Sequence, residues 1–74
     1  MKESPELVAE RQRIVSRLVE ARMASGVSQQ ELANRIGTQK PNISRIESGA
    51  CIPTLTTLKE LAKGLGKTLR IEMI

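Results

Sequence analysis

The chain lacks aromatic residues, histidine and aspartate, and it has one cysteine among 74 residues. Without Phe, Tyr or Trp, there are no stacking platforms of the kind that usually hold single-stranded nucleic acids or line RNA-recognition sheets. Without histidine, a single cysteine cannot complete a Cys/His zinc site, and neither a Cys-His pair nor a Ser-His-Asp triad can form. We therefore expect a protein that is not an enzyme and that needs no metal or other cofactor.

The single cysteine, Cys51, allows no disulfide framework within the chain, which fits a reducing cytoplasm. It lies between two helical segments, where we expect a small packing residue; a reactive thiol is the alternative. The first residues, "MKESPELVAERQR", are charged and lack the apolar core of a signal peptide. No segment approaches the roughly 20 apolar residues of a membrane span. We expect a cytoplasmic location.

The net charge of +4 is unevenly distributed along the chain. In residues 1–32, five basic side chains are balanced by five glutamates. From Ala33 to Ile46, Arg35, Lys40 and Arg45 occur without any acid. A basic stretch next to a polar helix predicts contacts to nucleic-acid phosphates. A merely solvated basic surface is the alternative.

Capping residues and apolar spacing predict the first two helices. Ser4 is a suitable N-cap, followed by Pro5 at the first helical position, and the apolar residues after it recur at helical spacing over residues 4–25. Ser28 and Glu31 have the spacing of a capping box at the start of a short second helix. Gly37 is expected to end that helix.

The same signals predict two further helices. The third is expected to begin two or three residues before Pro41 and to stop at Gly49, so that residues 28–49 form two helices joined by a short turn. Thr54 is expected to cap a fourth helix over residues 54–66, whose leucines form a stripe at helical spacing. The chain is thus predicted to be a single all-α domain.

The last segment, residues 67–74, has a different period. Leu69, Ile71 and Met73 alternate with polar residues, as in a strand with one buried face. A lone strand needs a partner, and the nearest candidate is the same strand of a second subunit related by a two-fold axis. We expect a short C-terminal β-strand that serves in dimerisation of a homodimer. A frayed tail is the alternative.

Two short helices joined by a glycine-containing turn form a helix-turn-helix, which leaves the outer surface of its second helix open to a DNA groove. On that helix, Ile43 and Ile46 are expected to face inward. The side chains that remain can all hydrogen-bond, and none is acidic. They are Gln39, Lys40, Asn42, Ser44 and Arg45. A carboxylate at these positions would be repelled by the phosphates beside the major groove.

The stretch "GVSQQELANRIGTQKPNISRIESGACIPTLTTLKELAKGLG", from Gly26 to Gly66, resembles the Xre-type, lambda-repressor-like helix-turn-helix family. It follows the family's G-x-S-Q, E-L-A, I-S-R-I-E-x-G, P-x-L and L-A-x-x-L-G motifs. The resemblance implies a compact four-helix domain that binds double-stranded DNA sequence-specifically, commonly as a dimer on a two-fold symmetric operator.

The resemblance also implies roles for individual residues. Gln29 would contact a phosphate at the start of the second helix, and Arg35 is a further phosphate candidate. The candidates for base edges are Gln39, Lys40, Ser44 and Arg45, with Asn42 contacting either a base or a phosphate. The family often has Gln where this chain has Lys40. Since Gln favours adenine and Lys favours guanine, the operator sequence is left open.

Arg22 and Glu47 match a structural ion pair of the family, in which an Arg late in the first helix holds a Glu near the end of the recognition helix. Removing one partner would leave a charge in a partly buried place. Two separate surface charges are the alternative. We do not expect either residue to contact bases.

The tail "LGKTLRIEMI" is similar to that of compact antitoxin-type regulators, in which a terminal strand joins two subunits. Such proteins often repress their own operon while binding a toxin protein. A plain operon repressor or a phage-type regulator would have the same DNA-binding stretch. The leading hypothesis is a dimeric repressor of its own operon; the alternative is a protein-interaction module whose main role is binding a toxin partner.

Overall fold

Four α-helices make up the secondary structure of residues 3–74, the part of the chain that this computed structural model describes. They are α1 (Pro5–Ala24), α2 (Gln29–Ile36), α3 (Lys40–Ser48) and α4 (Leu55–Gly64). The predicted all-α, four-helix fold is confirmed. The domain was predicted to span residues 1–74, and its first two residues lie outside the described part.

Side-chain caps determine where the helices begin. The side chains of Ser4, Ser28 and Thr54 each accept a hydrogen bond from the backbone N–H three residues further on. For Ser28 the donor is Glu31, at 3.0 Å. These bonds satisfy amides that a helix start otherwise leaves without a partner. The Glu31 carboxylate accepts from Arg35 instead of returning to Ser28, so only half of the expected capping box is made.

Two glycines end the helices of the helix-turn-helix. Gly37 follows α2 with φ 75° and Gly49 follows α3 with φ 82°, both in the left-handed region. A side chain at either position would strain the backbone. Pro41 lies in the first turn of α3, where its missing N–H is tolerated. The turn between α2 and α3 is therefore short and sharply defined by local chemistry.

The hydrophobic core lies between the helix-turn-helix and α4. Its buried members are Val27, which lies just before α2, and Leu32, Ala33, Ile43, Ile46, Leu61 and Leu65. No residue of α1 is buried, and this helix covers the core with half-buried Val15, Leu18 and Ala21. Leu7 and Leu55, which belong to the apolar stripes of the sequence, are exposed in the first turns of their helices.

Gly64 lets α4 pack closely against α2. A Cβ atom at this position would lie 2.8 Å from Cγ2 of Ile36 and 2.8 Å from Cδ1 of Leu32. Carbon atoms in ordinary contact are about 3.5–4.0 Å apart. The last turn of α4 therefore has room for a glycine and for nothing larger unless its neighbours move.

The C-terminal segment corrects one prediction. In the described chain, residues 67–74 form no β-strand. Leu69 lies half-buried in a groove with Ile14 and Leu18 of α1, whereas Ile71 and Met73 are exposed. A strand requires ladder hydrogen bonds from a neighbouring extended segment. The rest of the described domain is helical and has no such segment to offer, so the strand prediction is wrong for the chain as the structure has it.

No helix within residues 3–74 combines the length and the apolar character needed to cross a membrane.

Candidate nucleic-acid interface

The outer surface of α3 is polar and basic. Ile43 and Ile46 point into the core, with 1% and 7% of their surfaces exposed, and this fixes which side of the helix faces outward. All five side chains named from the sequence are exposed: Gln39, Lys40, Asn42, Ser44 and Arg45. The only acid in α3, Glu47, is turned away from this surface. The exposed side of α3 therefore carries hydrogen-bonding groups and two cations, and its one acid faces elsewhere.

Gln39 occupies the N-cap position of α3 in an extended conformation. Its side chain makes no capping hydrogen bond, so the carboxamide remains exposed at the positive end of the helix dipole. Lys40 follows as the first helical residue, without an acid in that turn. The start of α3 thus presents a neutral donor-acceptor group and a cation side by side.

The structure brings Arg22 and Glu47 together in a bidentate ion pair between α1 and α3. Nε of Arg22 donates to Oε2 of Glu47 at 2.6 Å, and Nη2 donates to Oε1 at 2.9 Å. The side chains are only 13% and 14% exposed. The remaining Nη1 donates to the backbone oxygen of Val27 at 2.9 Å. This planar fork fixes the C-terminal part of α3 against the scaffold.

Gln29, named from the sequence as a phosphate contact, joins the same cluster. Its Nε2 donates to Oε1 of Glu47 at 2.9 Å. Burial alone would raise the pKa of the Glu47 carboxyl, but hydrogen bonds from Arg22 and Gln29, with the charge of Arg22, outweigh burial and leave that pKa below its ordinary value. Gln29 therefore has a scaffold contact that the sequence pattern did not indicate.

Arg35, the other phosphate candidate, also contacts the protein. Its Nη1 donates to the backbone oxygen of Gly64 at 3.0 Å, and its Nη2 donates to Glu31 at 2.9 Å. It thus binds a carbonyl at the C-terminal end of α4, where a cation is favourable. The Arg35 side chain is still 42% exposed, and its guanidinium has further N–H groups to offer.

Hydrogen bonds connect Arg45 to Asn42 and Asn42 to Thr38, a residue that sequence reasoning missed. Nδ2 of Asn42 donates to Oγ1 of Thr38 at 2.9 Å. Nη1 of Arg45 donates to Oδ1 of Asn42 at 3.4 Å, a long hydrogen bond. The spacing of four residues between Thr38 and Asn42 is the signal that could have suggested the first contact.

Two other features of the sequence analysis have a place in the structure. Cys51 is exposed in the connection between α3 and α4, so it is not a packing residue. Within residues 3–74, no three side chains of His, Cys, Asp or Glu cluster as metal ligands would. The dimerisation candidates Leu69, Ile71 and Met73 all lie on the tail after α4.

The fold and this surface together define a DNA-binding helix-turn-helix domain. A family model described as "Helix-turn-helix" matches residues 18–71. The match covers most of the chain, and the chain belongs to the helix-turn-helix family of DNA-binding regulators and antitoxins, which are not enzymes. The resemblance seen in the sequence is confirmed.

Two curated relatives are similar over most of this chain. One is an uncharacterized HTH-type transcriptional regulator of Haemophilus influenzae, 41% identical over 58 residues, which are 78% of this chain and 59% of the relative. Another is antitoxin HigA1 of Mycobacterium tuberculosis, 36% identical over 62 residues, which are 84% of this chain and 42% of that antitoxin. The chain spans about half the length of the curated relatives it matches.

Among solved structures, the chain is similar to a toxin-antitoxin module from Streptococcus pneumoniae. The TM-score is 0.72 at 37% sequence identity. The similarity covers 97% of this chain and 82% of that one. The described tail is therefore part of a fold shared with a protein from a toxin-antitoxin system.

Proposed function

We propose that this protein is a sequence-specific, double-stranded DNA-binding repressor of its own operon. The observation that carries the proposal is the outer surface of α3, where exposed donors and two cations stand without an acid. The one acid of the helix is held inward by Arg22. The phosphates beside a major groove repel carboxylates and attract cations, so this surface supports binding to DNA.

The proposed mechanism is occupancy of the operator by α3. Gln39, Lys40, Ser44 and Arg45 contact base edges in the major groove, and Asn42 lies beside them. Lys40 and Arg45 suit the acceptors of guanine. Each good bidentate contact contributes about 1–3 kcal/mol of discrimination against a wrong base. Bound in this way, the protein denies the promoter to RNA polymerase.

Phosphate contacts supply affinity that carries no sequence information. Arg35 and Gln29 remain our candidates for them, although both also hold the scaffold. Arg35 keeps N–H groups beyond the two that bind Gly64 and Glu31. Gln29 begins α2, where the N-terminal amides favour an anion. The contact of Gln29 with Glu47 would couple the fit of α2 on the DNA backbone to the position of α3 in the groove. The contact of Arg35 with Gly64 would instead couple α2 to α4.

We infer that two copies bind a two-fold symmetric operator, with recognition helices in successive major grooves about 34 Å apart. The exposed apolar side chains of the tail, Ile71 and Met73, with half-buried Leu69, are the proposed contacts between the two copies. Such contacts would remove apolar surface that a 74-residue domain cannot cover alone. A repressor must reach operator DNA and RNA polymerase, so we propose a cytoplasmic location.

The proposal is tested by fluorescence anisotropy with a labelled duplex from the gene's own upstream region and a scrambled duplex, at two salt concentrations. We expect a preference of about a hundredfold or more for the native duplex that survives at the higher salt. Equal, salt-sensitive binding to both duplexes would overturn the proposal, because it would show that the basic surface only follows phosphates.

Two arginine variants sharpen this test. Arg45→Ala should weaken binding to the native duplex much more than binding to the scrambled one. Arg13→Ala removes the same charge from an exposed position on α1, outside the helix-turn-helix, and serves as the control. If both variants lose affinity equally on both duplexes, Arg45 reads no base.

A second function, binding of a toxin protein, is favoured by the names of the similar proteins, one an antitoxin and one a toxin-antitoxin module. If this chain is an antitoxin, a small reading frame beside its gene should arrest growth when expressed alone. Co-expression of this chain should restore growth, and Arg45→Ala should restore it equally well. Continued arrest on co-expression, with no complex on gel filtration, would exclude this function.

A further inference from the structure

We propose that Thr38 is a positioning residue for DNA recognition, which acts through Asn42 to hold Arg45 in the orientation that reads its base. This inference rests on the proposed DNA-binding function and deepens it. It assigns a role to a residue outside α3 and changes the role of Asn42 from reading DNA to orienting a neighbour.

The backbone of Thr38 is anchored to α2. Its N–H donates to the backbone oxygen of Ala33 at 2.9 Å, immediately after the left-handed Gly37. Ala33 is fully buried, so this anchor belongs to the rigid part of the domain. Thr38 itself is half-buried. The Thr38 hydroxyl is therefore a hydrogen-bonding group with a fixed place at the entrance to α3.

Asn42 is oriented by its two neighbours. Its Nδ2 donates to Oγ1 of Thr38 at 2.9 Å, and its Oδ1 accepts from Nη1 of Arg45 at 3.4 Å. A guanidinium can only donate, so the carboxamide oxygen must face Arg45 and the amide nitrogen must face Thr38. Both polar atoms of the carboxamide are engaged before DNA arrives.

This engagement argues against adenine recognition by Asn42. Bidentate reading of adenine needs the oxygen and the nitrogen of the carboxamide together, at N6 and N7 of the base. Here both atoms are hydrogen-bonded to protein partners, the nitrogen to Thr38 and the oxygen to Arg45. Leaving Thr38 and Arg45 to meet adenine would cost both of those hydrogen bonds.

The hydrogen bond to Asn42 orients Arg45 and leaves most of its N–H groups available for DNA. Four of its five N–H groups are outside the contact with Asn42 and can meet the two acceptors of guanine. An exposed arginine gives up rotamer freedom when it binds, and holding it in advance reduces that cost. Thr38 should therefore affect sequence preference without touching DNA.

The test measures binding to the native duplex and to a set of duplexes with single base-pair changes. Thr38→Val keeps the shape of the side chain but removes its hydroxyl, and Thr38→Ser restores the hydroxyl. We expect Thr38→Val to lower the preference for one base pair about fivefold, with the salt dependence of binding unchanged. Thr38→Ser should behave as the wild type. If Thr38 served folding alone, its substitution would not lower the preference at one base pair while leaving the others unchanged.

Asn42→Ala breaks the link at an exposed residue, where folding is not at risk. It should relax the same base pair as Thr38→Val and Arg45→Ala. In the Arg45→Ala background, Thr38→Val should cause no further loss, because the group that it positions is gone. Relaxation of a different base pair by Asn42→Ala would show that Asn42 reads DNA itself and would overturn the proposal.

The proposal also fails if Thr38→Val keeps the wild-type preference, or if it causes the same loss with and without Arg45. Either result leaves the proposed function standing as long as the wild type prefers its native duplex over the scrambled one. If the wild type binds native and scrambled duplexes equally, the function and the positioning role fall together.

Discussion

Lys40 is the single residue at which a substitution should most simply change the DNA sequence that the domain prefers. It is exposed at the first helical position of α3. Lys40→Gln replaces a donor suited to guanine by a group suited to adenine. We expect the preferred base at one operator position to change from guanine towards adenine, by about 1–3 kcal/mol of discrimination. Anisotropy titrations over duplexes varied at each position measure this change.

The control for Lys40→Gln is Lys59→Gln, an exposed lysine on α4 that loses the same charge. It should weaken binding to all duplexes slightly or not at all. If the two variants give identical base preferences, Lys40 contributes charge only, and base reading must lie with the other residues of α3.

At the scale of helices, the contact of α1 with α3 depends on one ion pair that should respond to acid. The folded-state pKa of Glu47 lies below its ordinary value of 4.5. The stabilisation is therefore complete above the pKa of the unfolded state and is lost as pH falls through the lower folded-state pKa. Urea unfolding at a series of pH values from 7 to 3 should show the free energy of unfolding decreasing below about pH 4.5.

Two variants separate the Glu47 effect from general acid denaturation. Glu47→Gln should lower the free energy of unfolding at pH 7 by about 1.5–3 kcal/mol and flatten its dependence on pH. Glu20→Gln, at an exposed position of α1, should keep the wild-type pH dependence. An unchanged pH profile in Glu47→Gln would mean that other carboxylates cause the acid sensitivity.

The packing of α4 on α2 is sensitive to a single methyl group. Gly64→Ala gains about 0.5–1 kcal/mol from helix propensity. However, the added Cβ meets the methyl groups of Leu32 and Ile36 at 2.8 Å, and overpacking costs about 1–3 kcal/mol. We expect a net loss of stability of about 1 kcal/mol, measured by urea unfolding. Lys63→Ala, exposed one residue earlier, is the control; a Gly64→Ala variant more stable than wild type would show that Leu32 repacks freely.

At the scale of the whole molecule, the exposed apolar tail should determine the state of association. We expect the wild type to sediment as a dimer and the double variant Ile71→Glu, Met73→Glu as a monomer, because charges would replace the exposed apolar contacts. Circular dichroism checks that the monomer remains helical. Glu72→Gln, on the same tail, should leave the dimer intact. A monomeric wild type, or a dimeric double variant, would contradict the proposed role of the tail.

Much of the fold follows from the sequence because the signals that form the helices are local. Ser28, Gly37 and Thr54 act within a few residues of themselves, through capping bonds and left-handed backbone conformation. The inward position of Ile43 and Ile46 follows from helical spacing. These local rules were sufficient to predict four helices and to name the polar surface of α3.

Other features needed the tertiary structure, because they join residues far apart in the chain. Nothing near Arg35 indicates that it binds the carbonyl of Gly64, 29 residues away, and nothing near Gln29 indicates its bond to Glu47. The strand predicted for residues 67–74 is wrong for a related reason. The alternating pattern shows which side chains are apolar, but a strand forms only beside another extended segment, and the described chain has none. The sequence by itself determined where the helices form and which polar side chains α3 exposes. Only the tertiary structure decided that exposed groups such as Arg35 also hydrogen-bond to other helices, because packing alone brings together residues that are far apart in the chain.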